Sequence, residues 1–409
     1  MILNMDFGET IQNNNGNMKK KLLGFFFLFI QAYTFLSCNR INKIDQIADY
    51  SNMDTIMYDI KSGNAIPRDR ALDMVRFIKL ETTKDNLIGK IDQVLFGDST
   101  IIVVDKKNAK AIYLFDYDGK YIGRISRIGN GPHEYIGIKY VTKRTDGKIA
   151  VFDELKNHIM LFNERGSYVS EINTDLFANS FEFMDTTNIM FNISNRYYRG
   201  YKPYDCYSFA LKDIEMDIKY LFGYAYFGED FHMVRNYNLY NYGDTLYCNV
   251  NFNDMIYVMG KDGVTAKYSL ILKPHSASDF SFKTQDEYES IRKDYPFFDG
   301  DFIELKDYSY IHYRGMSSKL MFDLIYNHNT KTTKSVSNYF NSPLLSFFSY
   351  PITRYSDNTL VCCVNASQVM IFKDNLFEKS GATEELNLLY MDLSADSNPI
   401  LFFYEVIAQ

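Results

Sequence analysis

The sequence lacks the residue groups that mark several common classes of protein. Its 409 residues contain five cysteines and six histidines, with no C-x-x-C pair and no Cys/His cluster, so a zinc site has no support. Asp and Glu (51) outnumber Lys and Arg (44), and the net charge of -7 leaves no basic footprint, so we expect no nucleic-acid partner. The histidines form no motif, and no Ser-His-Asp order typical of a hydrolase triad is recognisable. We therefore predict no catalytic residue and no metal ligand from motifs.

Tryptophan is also absent, whereas tyrosine occurs 34 times and phenylalanine 33 times. Together with many Thr, Ile and Val residues, these rings favour strands. The strand pattern is repeated, because residues 98–125 read DSTIIVVDKKNAKAIYLFDYDGKYIGRI and residues 146–172 read DGKIAVFDELKNHIMLFNERGSYVSEI. The copies start 48 residues apart, and Asp105 matches Asp153 at the same spacing. An all-strand repeat of about 50 residues indicates the blade of a β-propeller.

Each copy reads as a set of short antiparallel strands. A polar turn at Asp98 precedes an apolar run at 101–104, and a second run follows at 111–115. After a glycine-containing hairpin turn, residues 121–125 alternate in the manner of a half-exposed outer strand. Residues 91–96 in front complete four strands. Such a sheet cannot bury both faces alone, so further copies must stack on it.

The polar turn followed by a strand occurs six times in the chain. The six copies begin at Asp98, Asp146, Asp185, Asp244, Asp307 and Asp357. We therefore predict an all-β fold, a six-bladed β-propeller of four-stranded antiparallel blades over residues 73–409. The signature is short, and a chance match is the alternative for the copies at Asp185 and Asp307.

A propeller must close its ring, and the two ends of the predicted domain offer strands for this. Ile400–Val406 is an apolar strand without a hairpin partner, and we predict that Val75–Glu81 lies beside it as the outer strand of the last blade. The last blade also carries a predicted helical insertion at about 367–392, read as a pair of helices, because apolar residues recur there at spacings of three and four. A short helix is predicted at 284–294.

The first 72 residues read as targeting and tethering segments. Met18, the predicted true start, precedes three lysines and an apolar run at 22–36, which is the pattern of a signal peptide. The run ends in Phe35-Leu36-Ser37-Cys38, which resembles the lipobox of bacterial lipoproteins, the alternative being an ordinary secretory signal. We predict a signal peptide with a lipidated Cys38 at 1–38 and a tether at 39–72. The resemblance implies an outer-membrane anchor, with the periplasmic face favoured over the cell surface.

Four further stretches carry a resemblance to a family. They are residues 76–83 (RFIKLETT), 87–91 (LIGKI), 129–135 (GNGPHEY) and 398–404 (NPILFFY). The chain resembles the six-bladed β-propeller lipoproteins of Gram-negative bacteria, which are related to the NHL and TolB-like propellers, although His133 stands where a glycine is more usual. The resemblance implies the fold and export, and it implies no reaction. In an exported compartment Cys206 and Cys248 could pair, with buried thiols as the alternative.

The G-x-G-P-x-E-aromatic loop is one candidate site. It consists of Gly129, Gly131, Pro132, His133, Glu134 and Tyr135. Its glycines could present backbone N–H groups to an anion while the His and Glu side chains contact a ligand. The alternative, which we favour, is a tight crossover between blades in which the glutamate satisfies backbone donors.

A tyrosine-rich segment is the second candidate site. Twelve of the 51 residues from Tyr197 to Tyr247 are tyrosine, and arginines and a histidine lie among them. The candidate ligand-binding residues are Tyr197, Tyr198, Arg199, Tyr201, Tyr226, His232, Arg235 and Tyr237. Tyrosine offers a rigid contact surface with a polar tip, which suits carbohydrate or peptide ligands. The alternative is that these rings fill strand interiors and the packing between blades.

These patterns support two hypotheses of function. The first is a monomeric, lipid-anchored envelope propeller that needs no cofactor and binds a glycan, peptide or protein partner through its loop face. The second is a hydrolase or lyase with a divalent metal in the axial channel. Convergent carboxylates in the channel would favour the enzyme, whereas a channel lined by Tyr, Asn and Arg would favour binding. A scaffold subunit of an envelope complex is a third possibility.

Overall fold

The computed structural model describes residues 48–63, 65–193, 207–215, 218–224, 238–250, 253–260, 263–280 and 285–408. All of them belong to one compact unit, residues 47–409. The predicted signal peptide, the start at Met18 and the lipidation site Cys38 lie outside the described residues. Within the described ranges, no helix is long and apolar enough to cross a membrane.

Six antiparallel sheets of four strands form the ring, which confirms the predicted propeller. From the axis outwards, the strands of blade 1 are Gln93–Phe96, Ile101–Asp105, Ala111–Phe115 and Tyr121–Ile125. Those of blade 2 are Tyr140–Lys143, Ile149–Asp153, His158–Phe162 and Tyr168–Asn173. Those of blade 3 are Ser180–Phe183, Asn188–Asn192, Tyr207–Asp213 and Ile218–Tyr224. Those of blade 4 are Leu239–Tyr242, Thr245–Asn249, Met255–Gly260 and Gly263–Lys273. Those of blade 5 are Phe302–Glu304, Tyr308–Tyr313, Phe322–Asn327 and Thr332–Val336. Those of blade 6 are Thr353–Arg354, Thr359–Val364, Ile400–Val406 and Leu72–Lys79. The first strands of blades 6, 1, 2, 3 and 4 contact one another in that order, so the first strands surround the axis.

The second strand of every blade follows one of the six predicted aspartates. This includes Asp185 and Asp307, so neither of these two copies is a chance match. The turn chemistry explains the residue type at Asp185, whose carboxylate accepts the backbone N–H groups of Thr187 (2.8 Å) and Asn188 (2.7 Å). A short polar side chain that holds its own turn is favoured at such a position.

A second repeated aspartate ends the second strand of blades 1 and 2. Asp105 accepts the N–H groups of Gly89 (3.0 Å) and Lys90 (3.1 Å), and Asp153 accepts that of Ile136 (2.6 Å). Both carboxylates are buried. Each therefore satisfies backbone donors of the segment that enters its own blade, which explains why the sequence repeat includes this residue.

The ring closes where it was predicted to close. Leu72–Lys79 is the outer strand of blade 6 and pairs antiparallel with Ile400–Val406, with Phe77 opposite Phe402. Asn398, which precedes the C-terminal strand, donates to the carbonyls of Glu81 (2.8 Å) and Asn86 (3.0 Å). These contacts fasten the start of the propeller to its end.

The predicted tether at 39–72 requires a correction. Asp54–Asp59 is a strand that pairs in parallel with Gly263–Lys273 on the outer edge of blade 4. Ala65–Ile66 pairs in the same way with Thr332–Val336 of blade 5, and a short helix, Arg68–Ala71, leads into the closing strand. Ile56 and Tyr58 alternate with exposed residues and are buried. From Asp54 onwards this segment is therefore a packed part of the domain, because it covers two sheet edges that would otherwise be open.

Helices are few. Ala366–Ile371, Lys373–Ser380 and Glu384–Tyr390 lie between the second and third strands of blade 6, at the predicted insertion, as three helices and not as the predicted pair. Gln285–Asp294 is the predicted short helix before blade 5. Single turns of 3-10 helix occur at Ile60–Ser62, Ala277–Asp279, Ser318–Leu320 and Pro343–Phe347. Cys248, Cys362 and Cys363 are free thiols, and Cys206 lies outside the described residues.

Candidate functional site: an axial cavity

The innermost strands of the six blades surround a cavity of about 270 Å³ on the axis. This volume is slightly below the usual range for small-molecule sites, which begins at roughly 300 Å³. The polar and aromatic lining residues are Gln93, Phe96, Tyr140, Thr142, Lys143, Glu182, Tyr240, Asn241, Thr353, Arg354 and Tyr355, and the aliphatic ones are Val94, Leu95, Ile303 and Ile352. Among the described lining residues, Glu182 is the single carboxylate.

Glu182 is a buried acid held by neutral groups. Its carboxyl accepts hydrogen bonds from the Thr142 hydroxyl (2.5 Å) and from the Asn241 amide (3.1 Å). Within the described chain, no Lys, Arg or His forms an ion pair with it. Burial without a counter-ion disfavours the charged form and raises the pKa of Glu182 to about 8, against the lowering effect of these hydrogen bonds. At neutral pH this side chain is therefore mostly a protonated carboxyl that can both donate and accept.

Arg354 lies on the innermost strand of blade 6 and is fixed from two sides. One guanidinium N–H donates to the carbonyl of Asn241 (3.1 Å), and the guanidinium carbon lies 4.1 Å from the centre of the Tyr242 ring. Burial lowers the pKa of Arg354, although the guanidinium of arginine stays charged in proteins. No described carboxylate forms an ion pair with Arg354, and the acid nearest in sequence, Asp357, pairs with Lys306 instead (2.8 Å). Among the described residues, only the Asn241 carbonyl accepts a hydrogen bond from Arg354, so the guanidinium has further N–H donors for a ligand.

Asn241 connects the two ionisable groups. Its side-chain amide donates to Glu182 and to the carbonyl of Phe183 (3.1 Å each), and its backbone carbonyl accepts from Arg354. The arrangement places a neutral acid, an amide and a guanidinium in one connected network across blades 3, 4 and 6. Groups held in this way keep their positions in the absence of a ligand.

Aromatic rings line the end of the cavity at the turns between first and second strands. The Phe96 ring lies 4.8 Å from that of Tyr355 and 5.9 Å from that of Phe403 (centre to centre). Tyr355 is 38% exposed, so part of its ring is open to a ligand. Lys143 lies at the same end but pairs with Asp98 (2.6 Å). Lys143 therefore has an ion-pair partner, whereas no described carboxylate forms an ion pair with Arg354.

Not every polar side chain of the lining is available. Gln93 both accepts from the N–H and donates to the carbonyl of Val141, at 3.1 Å each. This pair of hydrogen bonds joins the first strands of blades 1 and 2. Gln93 therefore links two neighbouring blades. The polar groups available to a ligand lie on the side of the cavity formed by Glu182, Asn241 and Arg354.

The G-x-G-P-x-E-aromatic loop joins the outer strand of blade 1 to the first strand of blade 2, away from the lining residues. The Glu134 carboxylate accepts from the N–H of Gly131 (2.8 Å), and a Cβ built on Gly129 would lie 2.1 Å from that carboxylate. His133 adopts φ 60°, a left-handed conformation that glycine adopts without strain. The Tyr135 hydroxyl donates to the carbonyl of Lys110 (2.8 Å) from a buried ring. These contacts are those of a crossover.

The second candidate site lies outside the described residues. This applies to all of its members: Tyr197, Tyr198, Arg199, Tyr201, Tyr226, His232, Arg235 and Tyr237. From the same tyrosine-rich segment, Tyr240 lines the axial cavity. Its ring stacks on that of Tyr247 at 5.2 Å.

Sequence reasoning missed the cavity residues, although a signal for them exists. Glu182, Asn241 and Arg354 each stand three positions before the aspartate of their blade, and Thr142 stands four before it. Once the six aspartates are known, these positions read as polar residues on the innermost strands. Glu304 stands at the same offset and is buried elsewhere, between blades 4 and 5.

The donor set of the cavity differs from that of a metal centre. Across the described part of the chain, no group of three or more His, Cys, Asp or Glu residues is placed to hold a metal ion. Divalent cations such as Ca²⁺ and Mg²⁺ take several oxygen ligands, often charged carboxylates. One protonated glutamate and one arginine do not match that requirement, whereas they match a polar organic ligand.

A family model for a domain of unknown function, DUF4934, matches residues 55–405. The chain belongs to this family. Its matched region begins within the strand Asp54–Asp59, which agrees with the packing of that strand on blade 4. A comparison with curated protein sequences gives no match.

Two solved structures from Bacteroides are similar to the DUF4934 chain. One is a protein of Bacteroides fragilis, described as exported, with 18% identity, a TM-score of 0.69, and coverage of 86% of this chain and 99% of the other. The other is a member of the DUF4221 family from Bacteroides vulgatus, with 12% identity, a TM-score of 0.49, and coverage of 82% and 99%. The first similarity supports the propeller fold.

Proposed function

We propose that this protein is an exported propeller that binds a glycan, peptide or protein partner, and that the axial cavity and its aromatic rim form the binding site. The observation that carries the proposal is that the described lining of the cavity contains Tyr, Asn and Arg and a single carboxylate. This is the composition expected of a binding propeller, and it differs from the several converging acids of a metal-dependent hydrolase or lyase.

The size of the cavity favours a small ligand or the terminal unit of a larger one. A volume of about 270 Å³ holds one or two sugar rings or a few amino-acid residues. The loop face around the aromatic rim would then contact the rest of a longer partner. The tyrosine-rich segment at 197–237 remains a candidate for part of that contact.

Export and anchoring belong to the same proposal. The signal-peptide pattern before Cys38 supports export, and the similar Bacteroides fragilis protein is described as exported. We propose that Cys38 is acylated and holds the domain at the outer membrane. In a Bacteroides host, Cys38→Ser should move the protein from the membrane fraction to the soluble fraction. Retention in the membrane fraction without acylation would contradict the anchor.

An array of envelope glycans and peptides tests the binding function. The full-length protein, purified in detergent, should bind at least one class of probe. Asn241→Leu should reduce that binding by about tenfold or more, because it removes hydrogen bonds to both Glu182 and Phe183 inside the cavity. Asn253→Leu is the matched control in the same blade, since Asn253 contacts Tyr257 and does not line the cavity. No binding by the wild type, or equal loss in both variants, would refute the proposal.

A further inference from the structure

We infer that the axial cavity recognises an acidic sugar, and that the sugar carboxylate binds to Arg354. This inference rests on the proposed binding function and specifies the ligand of the same site. It starts from Arg354, a partly buried cation of the lining that has no ion-pair partner among the described residues.

The position of Arg354 suits an external anion. Removing a cation from bulk water costs free energy unless the cation is paired. Buried cations in most proteins therefore have an anionic partner. Lys143 follows this rule in the same cavity through Asp98. Arg354 instead has the Asn241 carbonyl and the face of Tyr242, which orient the guanidinium; Asp357 acts on it only from beyond ion-pair distance, and no described carboxylate forms an ion pair with it. A ligand anion would supply the missing charge.

The charge count favours a carboxylate. A guanidinium offers parallel N–H donors that match the two oxygens of a planar carboxylate. One unpaired cation balances one negative charge. A phosphate monoester carries between one and two negative charges at neutral pH and would leave part of its charge unbalanced in this cavity.

Glu182 fits the same ligand because it is mostly protonated. An ionised glutamate next to the site would repel an anion, whereas a neutral carboxyl can donate to a sugar hydroxyl or accept from one. The Asn241 side chain and the Thr142 hydroxyl hold this carboxyl in place. Blades 2, 3 and 4 thereby present groups suited to several hydroxyls of one ring.

The rim supplies a surface for the apolar face of the sugar. Phe96 and Tyr355 lie at the open end of the cavity with ring centres 4.8 Å apart. Aromatic side chains provide rigid contact area for such a ligand. A carboxylate at Arg354, hydroxyls at Glu182 and a ring face at the rim together describe a uronic acid better than a peptide terminus, whose carboxylate is followed by an extended backbone.

Calorimetric titration with matched sugars tests the inference. The probes are methyl β-D-glucuronide against methyl β-D-glucoside and methyl α-D-galacturonide against methyl α-D-galactoside; each pair differs in one carboxylate. For at least one pair, the full-length protein should bind the acid about tenfold more tightly, or better. Arg354→Gln should abolish this preference, and Arg354→Lys should keep part of it, because a point charge replaces the planar donors.

Arg144→Gln is the matched control. Arg144 lies at the same end of the propeller, its guanidinium faces the Phe183 ring at 5.8 Å, and it is paired with Asp146 (2.7 Å), so its loss should leave the preference unchanged. Thermal melting of each variant establishes that it is folded. Equal affinity for acid and neutral sugar would overturn the inference while leaving the binding function intact. Absence of binding to all four sugars, or binding of glycylglycine with the same dependence on Arg354, would also overturn it.

Discussion

Two buried glutamates, Glu182 and Glu304, occupy the same place in different blades. Each stands on the first strand, three residues before the aspartate of its blade. Glu304 has Lys267 at 2.5 Å and accepts from the hydroxyls of Tyr268 (3.1 Å) and Ser309 (2.7 Å). Glu182 lines the axial cavity, and all of its partners among the described residues are neutral. The same position in two blades thus carries a buried glutamate. The partners that the neighbouring blade offers determine whether this glutamate joins two blades or lines the cavity.

The partner of Glu304 comes from the edge of the preceding blade. Lys267 and Tyr268 belong to the long outer strand Gly263–Lys273 of blade 4, which also carries the N-terminal strand Asp54–Asp59. Glu304 thus joins blade 4 to blade 5 by an ion pair in which the carboxylate is buried and the lysine side chain is 33% exposed. We expect such a contact to matter for stability, whereas the Glu182 network should matter for binding.

The largest expected effect is that of Glu304→Gln. It leaves Lys267 without its counter-ion next to a buried site, and we expect a loss of about 2–3 kcal/mol in the free energy of unfolding, measured by urea denaturation at pH 7. Glu182→Gln should cost little at this pH, because most of the wild-type side chain is already uncharged.

A double variant sharpens this difference. Lys267→Met combined with Glu304→Gln removes both charges, and much of the lost stability should return, since the cost lies in the unpaired cation. If Glu182→Gln were as destabilising as Glu304→Gln, or if the double variant were worse than the sum of its parts, the two glutamates would not differ in the way described.

The next effect is a pH dependence specific to Glu182. Its pKa in the folded chain, about 8, lies above the ordinary value of 4.5. Between these values the folded chain keeps a proton that the unfolded chain releases, so this group makes the free energy of unfolding fall as the pH rises. Above about pH 8 its contribution is constant. Relative to the wild type, Glu182→Gln should therefore gain stability from pH 5 to pH 8, by about 1–3 kcal/mol in all.

Urea denaturation at pH 5, 6, 7 and 8 measures this trend. Glu215→Gln serves as the control, because Glu215 is exposed and does not line the cavity. If the difference in the free energy of unfolding between Glu182→Gln and the wild type did not change with pH, the buried carboxyl would be ionised at neutral pH. The cavity would then lack the neutral hydrogen-bond donor proposed for the acidic sugar.

The parts of the fold that could be predicted are those written locally. The turn aspartates and the apolar second strands recur in every blade. The short signatures at Asp185 and Asp307 therefore identified two of the six blades correctly. The closing strand was visible because Ile400–Val406 needs a partner. The strand Asp54–Asp59 was missed, although Ile56 and Tyr58 alternate with polar residues, because blade 4 already has four strands and nothing in the sequence shows that its outer edge takes another.

The candidate site was harder to predict for a related reason. The blades contribute between one and four residues each to the cavity, and the identities do not repeat: Thr142, Glu182, Asn241 and Arg354 share an approximate offset from an aspartate but no residue type. The repeated turn aspartates made the blades predictable, whereas the lining residues differ from blade to blade and could not be found by repetition. The loop at 129–135 was easier to notice because its glycines and Glu134 stand close together in the sequence; the contact between Glu134 and the N–H of Gly131 favours the crossover over the ligand site.

A crystal structure of the protein with a bound array ligand tests the account most directly. We predict ligand density in the axial cavity, with an anionic group at the Arg354 guanidinium and a polar atom within hydrogen-bond distance of Glu182. Density confined to the outer surface of the blades, to the loop at 129–135 or to the tyrosine-rich segment at 197–237, with the axial cavity unchanged, would contradict it.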